Sequence, residues 1–247
     1  LLPGIQSPLK NIGPAELDWV IVRENTEGEY SGAGGRVHPK LPQEVGIDVS
    51  VFTRDGIERV MRYAFELALT RPKKQLTLVT KSNAQRHGMV LWDEVFEKLK
   101  HDYPGITTDR MLVDAITTRM VLQPQSLDTI VATNLHADIL SDLAAALSGS
   151  LGIGPTANIN PERTFPSMFE PIHGSAFDLV GKDLANPLGA FWSCVMMLEH
   201  LQEKKGASLL MSAIEEVCQE GRHLPIDLGG NSCTGEVTTA VCAALKK

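Results

Sequence analysis

The stretch NLHADILSDL places Asp138 and Asp142 four residues apart, a spacing that sets two carboxylates on one face of a helix. Such a pair suits either a solvated helix face or a shared divalent cation held by hard oxygen donors, Mg²⁺ or Mn²⁺. Asp114 follows the apolar run MLV. It stands where α/β proteins place ligands at strand ends, or it caps the next helix. Lys81 likewise follows an apolar run, LTLVT, and precedes Ser82 and Asn83. It is a surface lysine, or, drawn into a closed site, an amine whose lowered pKa lets it accept a proton. Tyr30 closes a polar segment after Arg23. A packed tyrosine is one reading and a phenolic acid beside a metal and a lysine is the other. The Arg23 guanidinium matches a carboxylate bidentately, whether that belongs to a substrate or to Glu24 or Glu27. His173 opens the Gly/Ser loop HGSAFD, and Asp178 closes it. If a dinucleotide lies there, that carboxylate accepts from both ribose hydroxyls and repels a 2′-phosphate, which selects NAD. No GxGxxG fingerprint is present.

The elements that must position these groups follow from periodicity. DWVIVR reads as a buried strand, with the polar, Gly-rich ENTEGEYSGAGGR as a loop after it. VGIDVSVF alternates and predicts a strand, one arm of an extended hairpin. From Thr53, a plausible N-cap, Ile57, Val60, Met61, Ala64, Leu67 and Ala68 trace one side of a helix that ends before Pro72. A strand at 76–80, a helix around WDEVFEKLK, strands near 111–113 and at DTIVAT, and a helix over 135–147 follow. That alternation indicates an α/β fold. A Gly/Pro-rich break at GSLGIGPTANINPERT leads to a second region of loop and short strand, then helices over 187–201, 207–219 and 235–245.

Bulk properties exclude several classes. The 247 residues are 43% hydrophobic, enough for a sizeable core, and 23 basic against 30 acidic residues leave a net charge of −7 with no basic run. Nucleic acid is therefore not an expected partner. No apolar run approaches the roughly 18 residues that cross a bilayer, so no membrane role is expected. Four cysteines without a CxxC pair read as reduced thiols. That points to the cytoplasm and leaves a mitochondrial location open, since any transit peptide would precede Leu1.

Taken together, RENTEGEYSG, TKSN, VDAITTRMV, NLHADILSD and the pair HGSAFD with ANP resemble the isocitrate and isopropylmalate dehydrogenase family, in its order and over nearly the whole chain. YSGAGGRVH, TKSN with Trp92 and Asp93, and NPERTFPSMFEP are most similar to its branch acting on tartrate and D-malate. The resemblance implies an isopropylmalate-dehydrogenase-like, three-layer α/β/α fold of two domains. Residues 1–148 would form the central dimerising and metal-binding domain with a β-arm, and 149–247 the C-terminal half of an incomplete NAD domain. It further implies oxidation, with decarboxylation, of a small 2-hydroxy dicarboxylate to a 2-keto acid, with hydride passing to NAD. Asp114, Asp138 and Asp142 would hold Mg²⁺ or Mn²⁺, Lys81 would be the base and Tyr30 the acid. Arg23 would clamp a carboxylate, Asn83 lie near the nicotinamide, and His173, Gly174, Asp178 and Asn186 cradle the adenosine half. The active sites would be shared in a homodimer, Lys81 and Asp114 from one subunit meeting Asp138 and Asp142 of the other.

His136 and Ala137 replace the family's usual aromatic-glycine pair, and Phe177 its usual proline. An N-terminal part is expected to be missing, so that the 247 residues alone bind metal weakly and turn over little or nothing. NAD-linked isocitrate or isopropylmalate oxidation is the alternative within the family. A non-catalytic regulatory or assembly subunit is the alternative outside it, although no metal or proton-transfer group has been lost.

Overall fold

Three short, largely apolar runs and one more polar edge strand form the central sheet of the computed structural model, which describes residues 1–247. Strands β1 (Val20–Arg23), β4 (Gln75–Thr80), β5 (Thr107–Leu112) and β6 (Thr129–Ala132) form one parallel sheet in the order β1-β6-β4-β5. Leu76 and Leu78 point into a core with Val22, Val131, Phe65, Trp92 and Phe96. Thr77 and Val79 point the other way by strand alternation and are equally buried. A sheet covered on both faces needs such continuously apolar strands.

Helices α1 (Arg54–Thr70) and α2 (Gly88–Leu99) supply that core, and α3 (Val113–Leu122) packs on β4 and β5. The expected cap holds: Thr53 accepts from the Gly56 N–H at 3.0 Å, with its backbone extended. Phe65 is fully buried, with its ring stacked on Tyr103 at 4.7 Å and on Phe96 at 5.4 Å. Phe65→Ala should therefore cost about 3–5 kcal/mol, read as a lowered midpoint in chemical denaturation.

The polar segment after β1 is a strand rather than a loop. β2 (Gly28–Val37) pairs antiparallel with β3 (Val45–Val51), so Tyr30 is carried on an extended hairpin whose register shifts between Gly28 and Ala33. Gly34 is needed there, since a Cβ would lie 2.2 Å from the Ile47 carbonyl.

The chain divides into two units, Asp18–Ser141 and Leu1–Leu17 with Asp142–Lys247; the division falls inside α4 (Asn134–Leu147). In the second unit the hairpin of β7 (Pro155–Asn158) and β8 (Met168–Pro171) packs on α5 (Leu188–His200). Helix α6 (Lys204–Glu220) packs on α5 and on α7 (Thr234–Ala244). Leu2 and Ile5 join Ile214, Val217 and Val237 in its core. No helix is long and apolar enough to cross a membrane.

Candidate active site

Because all four strands of the central sheet are parallel, their carboxyl ends lie on one edge. Val22, Val131, Leu78 and Arg110 share one row of the register. Arg23 follows that row by one residue, Asn134 and Lys81 by three and Asp114 by four, at about 3.3 Å of rise per residue along a strand. This edge is where ligands of open α/β sheets are bound.

Two clusters form along it. In the first, Arg23 Nη1 donates to Asp138 Oδ1 at 2.6 Å, and the Tyr30 hydroxyl donates to Asp138 Oδ2 at 3.2 Å. The guanidinium also lies over the Tyr30 ring, 5.5 Å from its centroid. The hydrogen bond to Asp138 holds the Tyr30 phenol above its usual pKa, with desolvation and the Asp138 charge acting the same way and Arg23 opposing. Arg23 thus finds a carboxylate, but Asp138 rather than Glu24 or Glu27. Glu24 is buried and turned to Arg59 and to the Thr26 and Glu27 N–H groups.

In the second cluster Lys81 donates to Asp114. That contact holds the Asp114 carboxyl below its usual range. Asp114 is in the first turn of α3 and Leu112 occupies the cap, so the capping alternative falls. Asn83 lies in the exposed turn that closes on the Lys81 carbonyl.

Asp142 is exposed one turn beyond Asp138 on α4. No three His, Cys, Asp or Glu side chains of this single chain stand together closely enough to hold an ion. Chemically the three aspartates fit a hard cation. Geometrically they stand apart, Asp114 beside Lys81 and Asp138 beside Arg23.

In the second unit, His173 Nδ1 lies 2.9 Å from the Gly174 carbonyl oxygen. A Cβ on Gly174 would meet nothing within 4 Å, so the backbone there faces open space. Asp178 is exposed in a short 3₁₀ turn that starts from Ala176 at φ +42°. Asn186 is committed internally: its Oδ1 accepts from Leu188 N–H at 2.9 Å and its Nδ2 donates to Asp227 at 2.9 Å.

Among the neighbours of these groups, Glu29 escaped the sequence reading. Glu29 accepts from the Thr133 hydroxyl at 3.2 Å and the Leu135 N–H at 3.3 Å, a carboxylate at the positive end of α4. His136 is buried and its Nδ1 has no partner. Burial lowers its pKa, Glu29 pulls it up, and Lys81 pushes it down. His136→Phe should raise stability at neutral pH by about 1–3 kcal/mol, the usual penalty of a buried unpaired polar atom. Denaturant titration of both proteins checks it.

A family model described as isocitrate/isopropylmalate dehydrogenase matches residues 3–243. The chain belongs to the isocitrate/isopropylmalate dehydrogenase family. Within that family, a probable tartrate dehydrogenase/decarboxylase of Agrobacterium vitis is 65% identical over 99% of this chain and 68% of its own length. The D-malate dehydrogenase (decarboxylating) of Escherichia coli is 48% identical over 98% of this chain and 68% of its own. The crystal structure of isocitrate dehydrogenase from Methylococcus capsulatus is 37% identical, covers 100% of this chain and 71% of that one, and superposes with a TM-score of 0.90. The chain thus has this family's α/β fold with its parallel sheet.

Proposed function

We propose that this protein is a decarboxylating, NAD-linked dehydrogenase of small 2-hydroxy dicarboxylates, tartrate or D-malate, working as a homodimer with shared sites. The observation that carries this is the alignment of Arg23, Tyr30, Asp138, Lys81 and Asp114 along one carboxyl edge of the sheet. The names of the relatives support oxidation coupled to loss of CO₂. When bound, a divalent cation would polarise the substrate's C2 oxygen and the nicotinamide would accept hydride.

The residues of the chain divide the remaining work. Arg23 presents a fork to a substrate carboxylate. Lys81, released from Asp114 and in its neutral amine form, takes the proton of the C2 hydroxyl. Tyr30, whose hydroxyl keeps its proton more firmly because Asp138 accepts it, returns a proton to C3 after CO₂ departs. Asp114, Asp138 and Asp142 would hold the cation, the first from one protomer and the others from its partner. Residues 1–148 would serve dimerisation and metal binding. Residues 149–247 would bind NAD, with His173, Gly174 and Asp178 lining the adenosine half and Asn186 shaping it through its bond to Asp227.

The test is a comparison of rates with NAD⁺ and Mn²⁺ on D-malate, tartrate, isocitrate and 3-isopropylmalate, with CO₂ release measured alongside. D-malate or tartrate is expected to give the highest kcat/KM. The likeness to an isocitrate dehydrogenase favours the second reading, and a clear preference for isocitrate would establish it.

A further inference from the structure

The Arg23 guanidinium has two usable edges, and the structure treats them differently. Its side edge, Nε and Nη2, is occupied: both nitrogens donate to Asn134 Oδ1, at 2.9 and 2.7 Å. Its end edge, Nη1 and Nη2, carries only the single bond from Nη1 to Asp138. Asn134 is 4% exposed, and its other end is used as well, Nδ2 donating to the Glu27 carbonyl at 3.1 Å. The orientation of the amide is thereby forced, since a flip would turn NH₂ toward the guanidinium and oxygen toward a carbonyl.

The backbone around Asn134 is arranged for this. It is the first residue of α4, two beyond the residue that pairs with Arg23 across β1 and β6. Gly28 sits 3.6 Å from its Cβ, measured from where a glycine Cβ would be, at φ +82°. A side chain at residue 28 would be strained in that conformation. The segment that leads into β2, the end of β1 and the start of α4 are thus tied through one buried amide.

We infer that Asn134 is a positioning residue that locks the side edge of Arg23 and so reserves the end edge for a carboxylate of the substrate. The inference rests on the proposed 2-hydroxy dicarboxylate function. An arginine free to turn would present either edge and lose rotational freedom on binding, whereas one held by Asn134 is already oriented. Asn134 itself touches no substrate.

A double-mutant cycle separates positioning from a general loss of structure. Tartrate binding to the complete protein is measured by calorimetry with Mg²⁺ and without NAD⁺, so that nothing turns over. Asn134→Leu is expected to weaken binding by about tenfold and Arg23→Met by about a hundredfold, the scale of a charge-assisted bidentate contact. The double variant should be no weaker than Arg23→Met alone, because Asn134 acts only through Arg23. Losses that multiply, or an Asn134→Leu protein that binds like wild type, overturn the inference and leave the proposed function standing. A wild-type protein that binds neither tartrate nor D-malate overturns both. Thermal unfolding of each variant reports folding, and Asn134→Ser replaces the leucine variant if that one does not fold.

Discussion

Lys81→Met is expected to lower kcat by about 10²–10⁴-fold, the usual contribution of a positioned general base, with little change in stability. The side chain follows β4 at the sheet's carboxyl edge and its stem is largely covered, so a methionine of similar length preserves the apolar contacts. What disappears is the ammonium group and its ion pair with Asp114. Asp114 is largely solvent-exposed, and an exposed pair of this kind contributes little to folding. The loss should therefore fall on turnover rather than on the fold. Lys81→Arg should be almost as inactive, because a guanidinium does not give up its proton at working pH. Steady-state kinetics and thermal unfolding on both variants check this. A Lys81→Met enzyme within about threefold of wild type would remove Lys81 from the chemistry and leave the C2 proton without a base.

The contrast between what the sequence disclosed and what it hid has physical causes. The α1 helix was readable because its apolar residues repeat at 3.6 and Thr53 caps it, both local properties. β1, β4 and β6 were readable because parallel strands buried in a sheet become apolar runs, whereas the edge strand β5, TTDRML, showed only at its Met111–Leu112 end. β2 was not, since GEYSGAGGRV is rich in glycine and polar side chains; it is a strand only because β3 offers it a partner. β7 escaped similarly, as PTAN has no strand pattern without β8 beside it. The placement of Leu2 and Ile5 in a core with Ile214 and Val217 depends on residues some two hundred positions away.

The candidate site divides along the same line. Its carboxylates and lysine stood out because they end apolar runs or repeat at a helical spacing. The Lys81–Asp114 contact and the Asp138 bonds to Arg23 and Tyr30 needed the sheet order. Asn134 was invisible, since an asparagine at a helix start reads as a local cap while its partner Arg23 lies 111 residues earlier.

The second large effect follows from the separation of Asp114 from Asp138. If Lys81 and Asp114 of one protomer complete a site with Asp138 and Asp142 of the other, two inactive variants should rescue each other. Lys81→Met spoils the first contribution and Asp138→Asn the second. Random reassociation of equal amounts makes about half the dimers mixed. Each mixed dimer holds one site with both lesions and one with neither, as two-fold symmetry requires. Activity should thus return to about a quarter of the wild-type value per site, with unchanged KM in the restored fraction. The rescue requires exchange of subunits, so mixing without denaturation and refolding should restore less. Co-expression with two affinity tags, followed by isolation of the mixed species, gives the same reading with about half the sites active. Mixed dimers as inactive as their parents would mean that each chain builds its site alone. Asp114 and Asp138 would then have to approach one another within one protomer, against the separate partners they hold here.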